Sequence, residues 1–292
     1  MLREFLGNTA VKMAKHKVLV VTTKYWRPGE DYLEEITRSI KGKITEGDFV
    51  VISEKAISIA LNNIVDESGI KPGLAARLIA RYWMHTVWGY FLSPLCRFRE
   101  KLSRQLREYP LEAGASHKQV ALRQAGLLQA LMFGSEGGID GSNLAYAYVS
   151  LALGNADEIA QRIREKISST LKEEVIVIIT DTDKTYSFGN FHFTPRPTPI
   201  KGIHSFGGFA TYVVGRTLKL KRRATPIAVA GCQIHAEEAL EIANIANNAR
   251  GFGAGRTVWD MAERFKVKLN EVSWEMLETV KHKPIIIVRS KR

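Results

Sequence analysis

The chain has 292 residues, 45% hydrophobic and 25% charged, which excludes a disordered polymer and leaves room for one large domain or two smaller lobes. Its two cysteines, Cys96 and Cys232, exclude a disulfide framework and stand at no metal-ligand spacing, so a reducing, cytoplasmic setting is expected. With 42 basic against 30 acidic residues the net charge is +12 and the pI about 9.7, a field that favours nucleic acid, an anionic membrane or a phosphate-rich small substrate.

The opening MLREFLGNTAVKMAKHK lacks the long apolar core and small-residue cleavage site of a secretory signal. KVLVVTT (17–23) reads as a strand, and DYLEEITRSIKG (31–42) as a helix after the Pro28-Gly29 turn, with Leu33, Ile36 and Ile40 on one face. DFVVIS (48–53) is the next strand. A long helical region is expected over 73–107. Within it LIARYWMHTVWGYFLSPLC (78–96) is the richest apolar stretch, but Arg81 and His85 interrupt it, where a spanning helix needs about 20 mostly apolar residues. No transmembrane segment is therefore expected. Tyr82, Trp83, Trp88 and Tyr90 suit a membrane surface, although a core or dimer-interface helix accounts for them better. Arg77, Arg81 and His85 recur every fourth residue and line one polar stripe.

Further strands are expected at LAYAYVSL (144–151), EVIVIITD (174–181), FATYVVG (209–215) and PIIIVRS (284–290). Further helices are expected at 155–171, with Ile159, Ile163 and Ile167 at four-residue spacing, and at 237–248 and 257–265. Between Tyr186 and Arg216 prolines and glycine pairs interrupt the chain without a helical period, so this segment reads as loop and irregular sheet. The whole is a mixed α/β protein, a mixed sheet with flanking helices. It reads as one unit over 1–292, subdivided into a core with the acidic loops (1–185), an irregular β-rich lobe plus helix (186–255) and a C-terminal helix and strand returning to the core (256–292). The tight basic clusters are Lys219, Lys221, Arg222 and Arg223 in KLKRR, and Arg289, Lys291 and Arg292 at the C-terminus.

Two acidic loops stand out. In GSEGGIDGSN (134–143), glycines flank Asp140, so the backbone can turn tightly and approach a ligand, and Ser142 and Asn143 add oxygen donors. The second is TDTD (180–183), where an apolar strand ends, a common place for ligands in α/β proteins. Such oxygens are hard ligands that suit magnesium or manganese and a bound phosphate. An Asp in a turn also caps its own backbone, and nothing in the spacing joins the two loops. Glu136 reads as a solvated loop carboxylate or as a support behind a metal. GFGAGR (251–256) is a glycine-rich turn opening a helix, and helix N-termini bind anions, but it lacks the Lys-Ser/Thr of a P-loop. His192, His204 and His235 are scattered, and Ser135 and Ser205 show no nucleophile-elbow context.

GGIDGSN resembles the ANAGID-x-SN loop, and IITDT the ITDT loop, of the coenzyme F420-0:γ-glutamyl ligases. WRPGEDYLEEI and EGDFVVISEKAISIA are similar to the family's I-x-x-GDDL-x-x-I and DGDVVVVAQKIVSKAEG segments, and the motifs occur in the family's order over about residues 17–183. The resemblance implies a mixed α/β fold in an intertwined homodimer. It also implies GTP-dependent joining of L-glutamate to a small carboxylate substrate through an acyl phosphate, with Mg or Mn. Carried over by position, Asp140, Asp181 and Thr182 hold the metal, Asn143 contacts the nucleotide, and Thr23, Lys24, Tyr25, Trp26, Glu54 and Lys55 line the nucleotide site. The catalytic residues themselves are not assigned. The chain departs from the pattern at Ile59, where a basic residue is expected, at Asp183-Lys184-Thr185 in place of FGR, and at Pro226 in place of a glutamate. Those departures motivate an alternative, a metal- or nucleotide-binding homologue without catalysis. The charge motivates another, a basic nucleic-acid-associated protein.

Overall fold

The computed structural model describes residues 16–134 and 136–290. The opening segment up to Lys15, Ser135, Lys291 and Arg292 lie outside the described residues. Nine strands are found there: β1 (His16–Thr23), β2 (Phe49–Ser53), β3 (Ile64–Asp66), β4 (Tyr148–Ser150), β5 (Ile176–Phe188), β6 (Phe191–Thr194), β7 (Ile203–Ser205), β8 (Lys221–Ala230) and β9 (His282–Ser290). The main helices are α1 (Tyr32–Ile40), α2 (Glu54–Ala60), α3 (Ile79–Leu92), α4 (Glu100–Arg107), α5 (Leu111–Gln124), α6 (Ala156–Leu171), α7 (Phe209–Thr217), α8 (Ala236–Arg250) and α9 (Val258–Phe265). No helix among the described residues is long and apolar enough to cross a membrane.

Seven strands form one mixed sheet in the order β1-β9-β2-β5-β6-β7, with β8 on the other edge of β5. Strand alternation sends successive apolar side chains to opposite faces. Val50, Ile52, Val177, Ile179, Ile285 and Ile287 pack beneath α1 and α6, against Ile36, Ile40, Ile159, Ile163 and Ile167. Phe49, Val51, Ile178, Ile286 and Val288 pack on the opposite face, under Ile242 and Ala246 of α8. Because both faces are covered, these strands read as continuous apolar runs. Asp31 caps α1 by accepting from Leu33 N (3.0 Å) and Glu34 N (3.1 Å). A second core gathers α3, α4 and α5 around Trp88, whose ring stacks on Phe98 with centroids 5.9 Å apart.

Several expectations need correcting. The TDTD segment is not a loop: β5 runs through it to Phe188, held by antiparallel pairing to β8 with irregularities at Ile179/Thr180 and Asp181/Lys184. Those bulges kink and twist the strand without ending it. FATYVVG is helix α7, because Phe209, Tyr212 and Val213 share a helical face against the second core, and that packing overrides β-branched propensity. The segment after Tyr186 therefore contains a helix, and its β6 continues the main sheet from β5. The expected 144–151 strand shrinks to β4. The expected 73–107 helix is broken. Leu74–Leu78 leads into α3, a wide π-helix, and Pro94 follows in a short turn before α4. Buried residues of α3 fall at Ile79/Ala80, Met84 and Trp88/Gly89, a spacing closer to a π-turn than to 3.6 residues. Lys221, Arg222 and Arg223 of KLKRR begin β8, and Arg223 is buried against Glu237 at 2.8 Å.

Candidate functional site

The site arises from the way β5 is shared. Its first half pairs in parallel with β2, Phe49↔Ile176 through Ser53↔Thr180. Its last residues, Tyr186 to Phe188, pair with β6. Since β8 pairs along the other edge, apart from the bulge at Thr182 and Asp183, β2 and β6 lie on the same edge, and from Asp181 to Thr185 that edge has no strand pairing among the described residues. At the same level β2 ends and α2 begins, carrying Glu54 and Lys55 away from the sheet. The opening therefore sits beyond the carboxyl end of β2 and beside the continuing β5, and the region past a parallel strand's carboxyl end is where α/β sheets commonly bind ligands.

Arg196 fills the inner part of this gap. It is buried, bonding Asp181 Oδ2 through Nη1 at 2.6 Å and Glu54 Oε1 through Nη2 at 2.5 Å. Glu54 also accepts from Leu153 N at 2.8 Å. Burial and the nearby Asp181 charge push the Glu54 carboxyl up to about 7. Asp181 is buried too, but Arg196 and Lys55 outweigh that and hold it below the usual carboxylate range.

Thr182 and Lys184 instead line a cleft of about 390 Å³ with Tyr25, Lys55, Asp140, Asn143, Arg250 and the 251–256 turn among its walls. Lys55 Nζ ion-pairs with Asp140 and donates to Ser142 O and Oγ, both at 2.8 Å. Asp140 Oδ1 accepts from Ser142 N at 2.7 Å, and its backbone bridges to Ser150, so the acidic loop is fixed to the end of β4. Asn143, at φ 56°, ties the glycine-rich turn down. Its Oδ1 accepts from Ala254 N at 2.6 Å and its Nδ2 donates to Gly255 O at 3.0 Å. A Cβ on Gly253 would stand 2.4 Å from that same Oδ1, which explains glycine there.

Of the residues singled out from the sequence, Asp140, Thr182, Asn143, Tyr25 and Lys55 thus share one cleft. Asp181 lies behind it on Arg196. Tyr25 hydroxyl bonds Asn143 O, and its ring stands 4.6 Å from His282, another cleft residue. Trp26 is buried in the sheet core, Thr23 bonds Lys24 O at 2.7 Å, Lys24 pairs with Glu30 at 2.9 Å, and Glu54 is on Arg196. Glu136 is not a solvated carboxylate. It is buried between Lys118 and His117 (2.9 Å), and these cations overcome burial to hold it at about 2.

Sequence reasoning missed Arg196, Lys184 and Arg250. Arg196 stands between prolines in TPRPTP, a context that reads as loop. Arg250 ends α8, where a cation reads as an ordinary partner of the helix dipole. Yet its Nε and Nη1 are buried without a hydrogen-bond partner among the described residues, and its Nη2 has only Pro284 O at 3.5 Å. Burial pushes its guanidinium down to about 10 and lowers Lys184 as well.

The oxygen donors on the cleft include Asp140, Ser142, Asn143 and Thr182, with Asp140 its one carboxylate among the described residues. Among the described residues no group of three or more His, Cys, Asp or Glu side chains is arranged to hold a metal. One carboxylate with nearby hydroxyls fits a magnesium that shares its coordination with substrate phosphates and water, and not an all-protein cage.

The mixed α/β fold agrees with a family match: the chain belongs to the F420-0:gamma-glutamyl ligase family, whose pattern it matches over residues 20–232. It is also 34% identical over 281 residues to an uncharacterized protein of Methanocaldococcus jannaschii, covering 93% of this chain and 95% of that one. The family places the chain among ligase-like proteins. Two of the departures from the pattern noted above line the cleft, Ile59 and Lys184. Lys184 replaces part of FGR, and Pro226 pairs with Thr180 in β8.

Proposed function

We propose that this protein joins L-glutamate to a small carboxylate substrate, activating the carboxylate with the γ-phosphate of GTP in the presence of Mg or Mn. The observation that carries this reading is the convergence of Asp140, Ser142 and Thr182 with Lys55 on one cleft, closed by a glycine-rich turn. Phosphoryl transfer asks mainly for positioning and charge neutralisation, which such a cleft supplies. Asp140 and the hydroxyls of Ser142 and Thr182 would hold a magnesium or manganese ion, which would supply neutralisation of phosphate charge. Lys55, which pairs with Asp140, would also reach a phosphate oxygen bound beside that carboxylate. Asp181 would act from behind the cleft, through Arg196 and the field it places on Lys55 and Lys184. The resemblance also carries an intertwined homodimer, for which Leu74, Leu78, Tyr82 and Phe91 offer exposed apolar surface.

The test is GDP release from GTP with magnesium, L-glutamate and a panel of carboxylates. Turnover should require glutamate and an acceptor, and Asp140→Asn should reduce it by at least about 10²-fold. Full activity in that variant would remove Asp140 from the centre. A second reading, binding without catalysis, is favoured by Ile59, which leaves that part of the wall uncharged. It predicts nucleotide binding with no GDP release for any acceptor.

A further inference from the structure

The charges on the cleft do not balance. Asp140 is neutralised by Lys55, whereas Lys184, Arg250, Arg256, Lys281 and Lys283 also line it. Two of these differ from ordinary surface cations. Arg250 carries two buried guanidinium nitrogens without a hydrogen-bond partner among the described residues, and its third has only a long contact to Pro284 O. Lys184 leaves β5 on the same side as Thr182, lines the cleft with it, and forms no ion pair among the described residues. Burying guanidinium nitrogens without partners is unfavourable, so a fold that holds Arg250 in this way, with Lys184 lining the same cleft, gains most when an anion arrives. The two approach from independent elements: Lys184 from the unpaired stretch of β5, Arg250 from the end of α8, just before the turn that Asn143 pins. A monoanion would answer one of them. Several linked negative charges answer both, and a planar guanidinium fork matches phosphate oxygens two at a time.

We propose that Arg250 and Lys184 form a polyphosphate receptor on the wall of the cleft, binding a phosphate chain through direct contacts that need no metal. This rests on the reading above only in taking the chain to be that of a nucleoside triphosphate. The charge imbalance holds for inorganic polyphosphate as well.

The experiment uses the full-length protein, with EDTA present and at low ionic strength, and inorganic tripolyphosphate as the probe. Calorimetry and thermal shift are run on wild type, Arg250→Met and Lys184→Met, with citrate as a multivalent carboxylate control. Wild type should bind tripolyphosphate, and each variant should bind it at least tenfold more weakly. Arg250→Met should also raise the Tm of the protein without added ligand, because it removes a guanidinium with two buried nitrogens that have no partner among the described residues. Unchanged tripolyphosphate binding in both variants, equal binding of citrate, or no binding by wild type at millimolar tripolyphosphate would each overturn the proposal. Should Arg250→Met not fold, Lys184→Met carries the test alone. Loss of tripolyphosphate binding in the variants, with no GTP turnover by wild type, upholds the receptor while the ligase reading fails. Normal GTP turnover in variants that bind tripolyphosphate as wild type does has the opposite meaning.

Discussion

Arg196 decides more at the residue scale than any of the acidic side chains around it. It lies in the gap left on β5, with Glu54 on one side and Asp181 on the other, and all three are buried. Removing the cation leaves two buried carboxylates without it, and breaking such an arrangement costs about 3–5 kcal/mol. Arg196→Met should therefore lower unfolding stability by about that amount in urea titrations, and a loss below about 1 kcal/mol would show that the triad contributes little. The same triad limits what could be read in the sequence. Asp140 was legible because glycines on both sides mark a turn with an acidic group at its apex. The relation of Asp181 to Arg196 was not, since it depends on residues from 54 to 196 meeting in space. Nor does spacing alone tell that Thr182 lines the cleft while Asp181 lies buried behind it: β5 had first to be recognised as a strand that continues.

The long elements were legible where apolar period and capping agreed. Helix α1 has its Asp31 cap and a buried face of Ile36 and Ile40, and α6 repeats Ile159, Ile163 and Ile167. Legibility failed where tertiary packing overruled local preference. In α7 β-branched residues became helical against Trp83 and Trp88, Phe209 meeting Trp83 edge-on at 5.0 Å. In β5 polar residues continued a strand because β8 supplied partners on one edge. The glycine-rich turn is an intermediate case: its glycines mark a turn, but its anchor lies more than a hundred residues away, on Asn143. Asn143→Ala removes the hydrogen bonds that hold the turn over the cleft. Nucleotide affinity should fall by about tenfold, the equivalent of one bond of about 1.4 kcal/mol, with a smaller change in Tm. Unaltered affinity would mean that the turn holds its position without Asn143.

Among the described residues the molecule is built as a covered mixed sheet joined to a helical core, and the helical core carries a dependence of stability on pH. In the helical part His117 lies between Glu67 (2.7 Å) and Glu136 (2.9 Å). Burial opposes its charge, but the two carboxylates outweigh burial and push the imidazole from 6.5 up to about 10. The folded chain thus holds this proton more tightly than the unfolded chain does. Its contribution to stability is complete below pH 6.5 and is lost as pH rises through 10. Stability should fall between pH 7 and 10 with a slope from this group of at most about 1.4 kcal/mol per pH unit, and His117→Gln should flatten it. Glu136 has the opposite sign: its contribution is present above pH 4.5 and is lost as pH falls through about 2. A stability profile flat from pH 7 to 10 in wild type would show that the imidazole is not held as a cation.

The shared strand β5 has a consequence for time as well as for space. Thr182 and Lys184 are fixed to a strand bonded into the centre of the sheet, while the facing wall, residues 251–256, is held by Asn143 and a few turn bonds. Amides of β2, β5 and β9 should exchange with deuterium only when the whole protein unfolds, and those of the turn through frequent local opening. A ligand that bridges the two walls should slow exchange at 252–256 by far more than in the sheet. In such a cleft one jaw is an anvil and the other a latch, and exchange rates measured with and without tripolyphosphate would show which one the ligand closes.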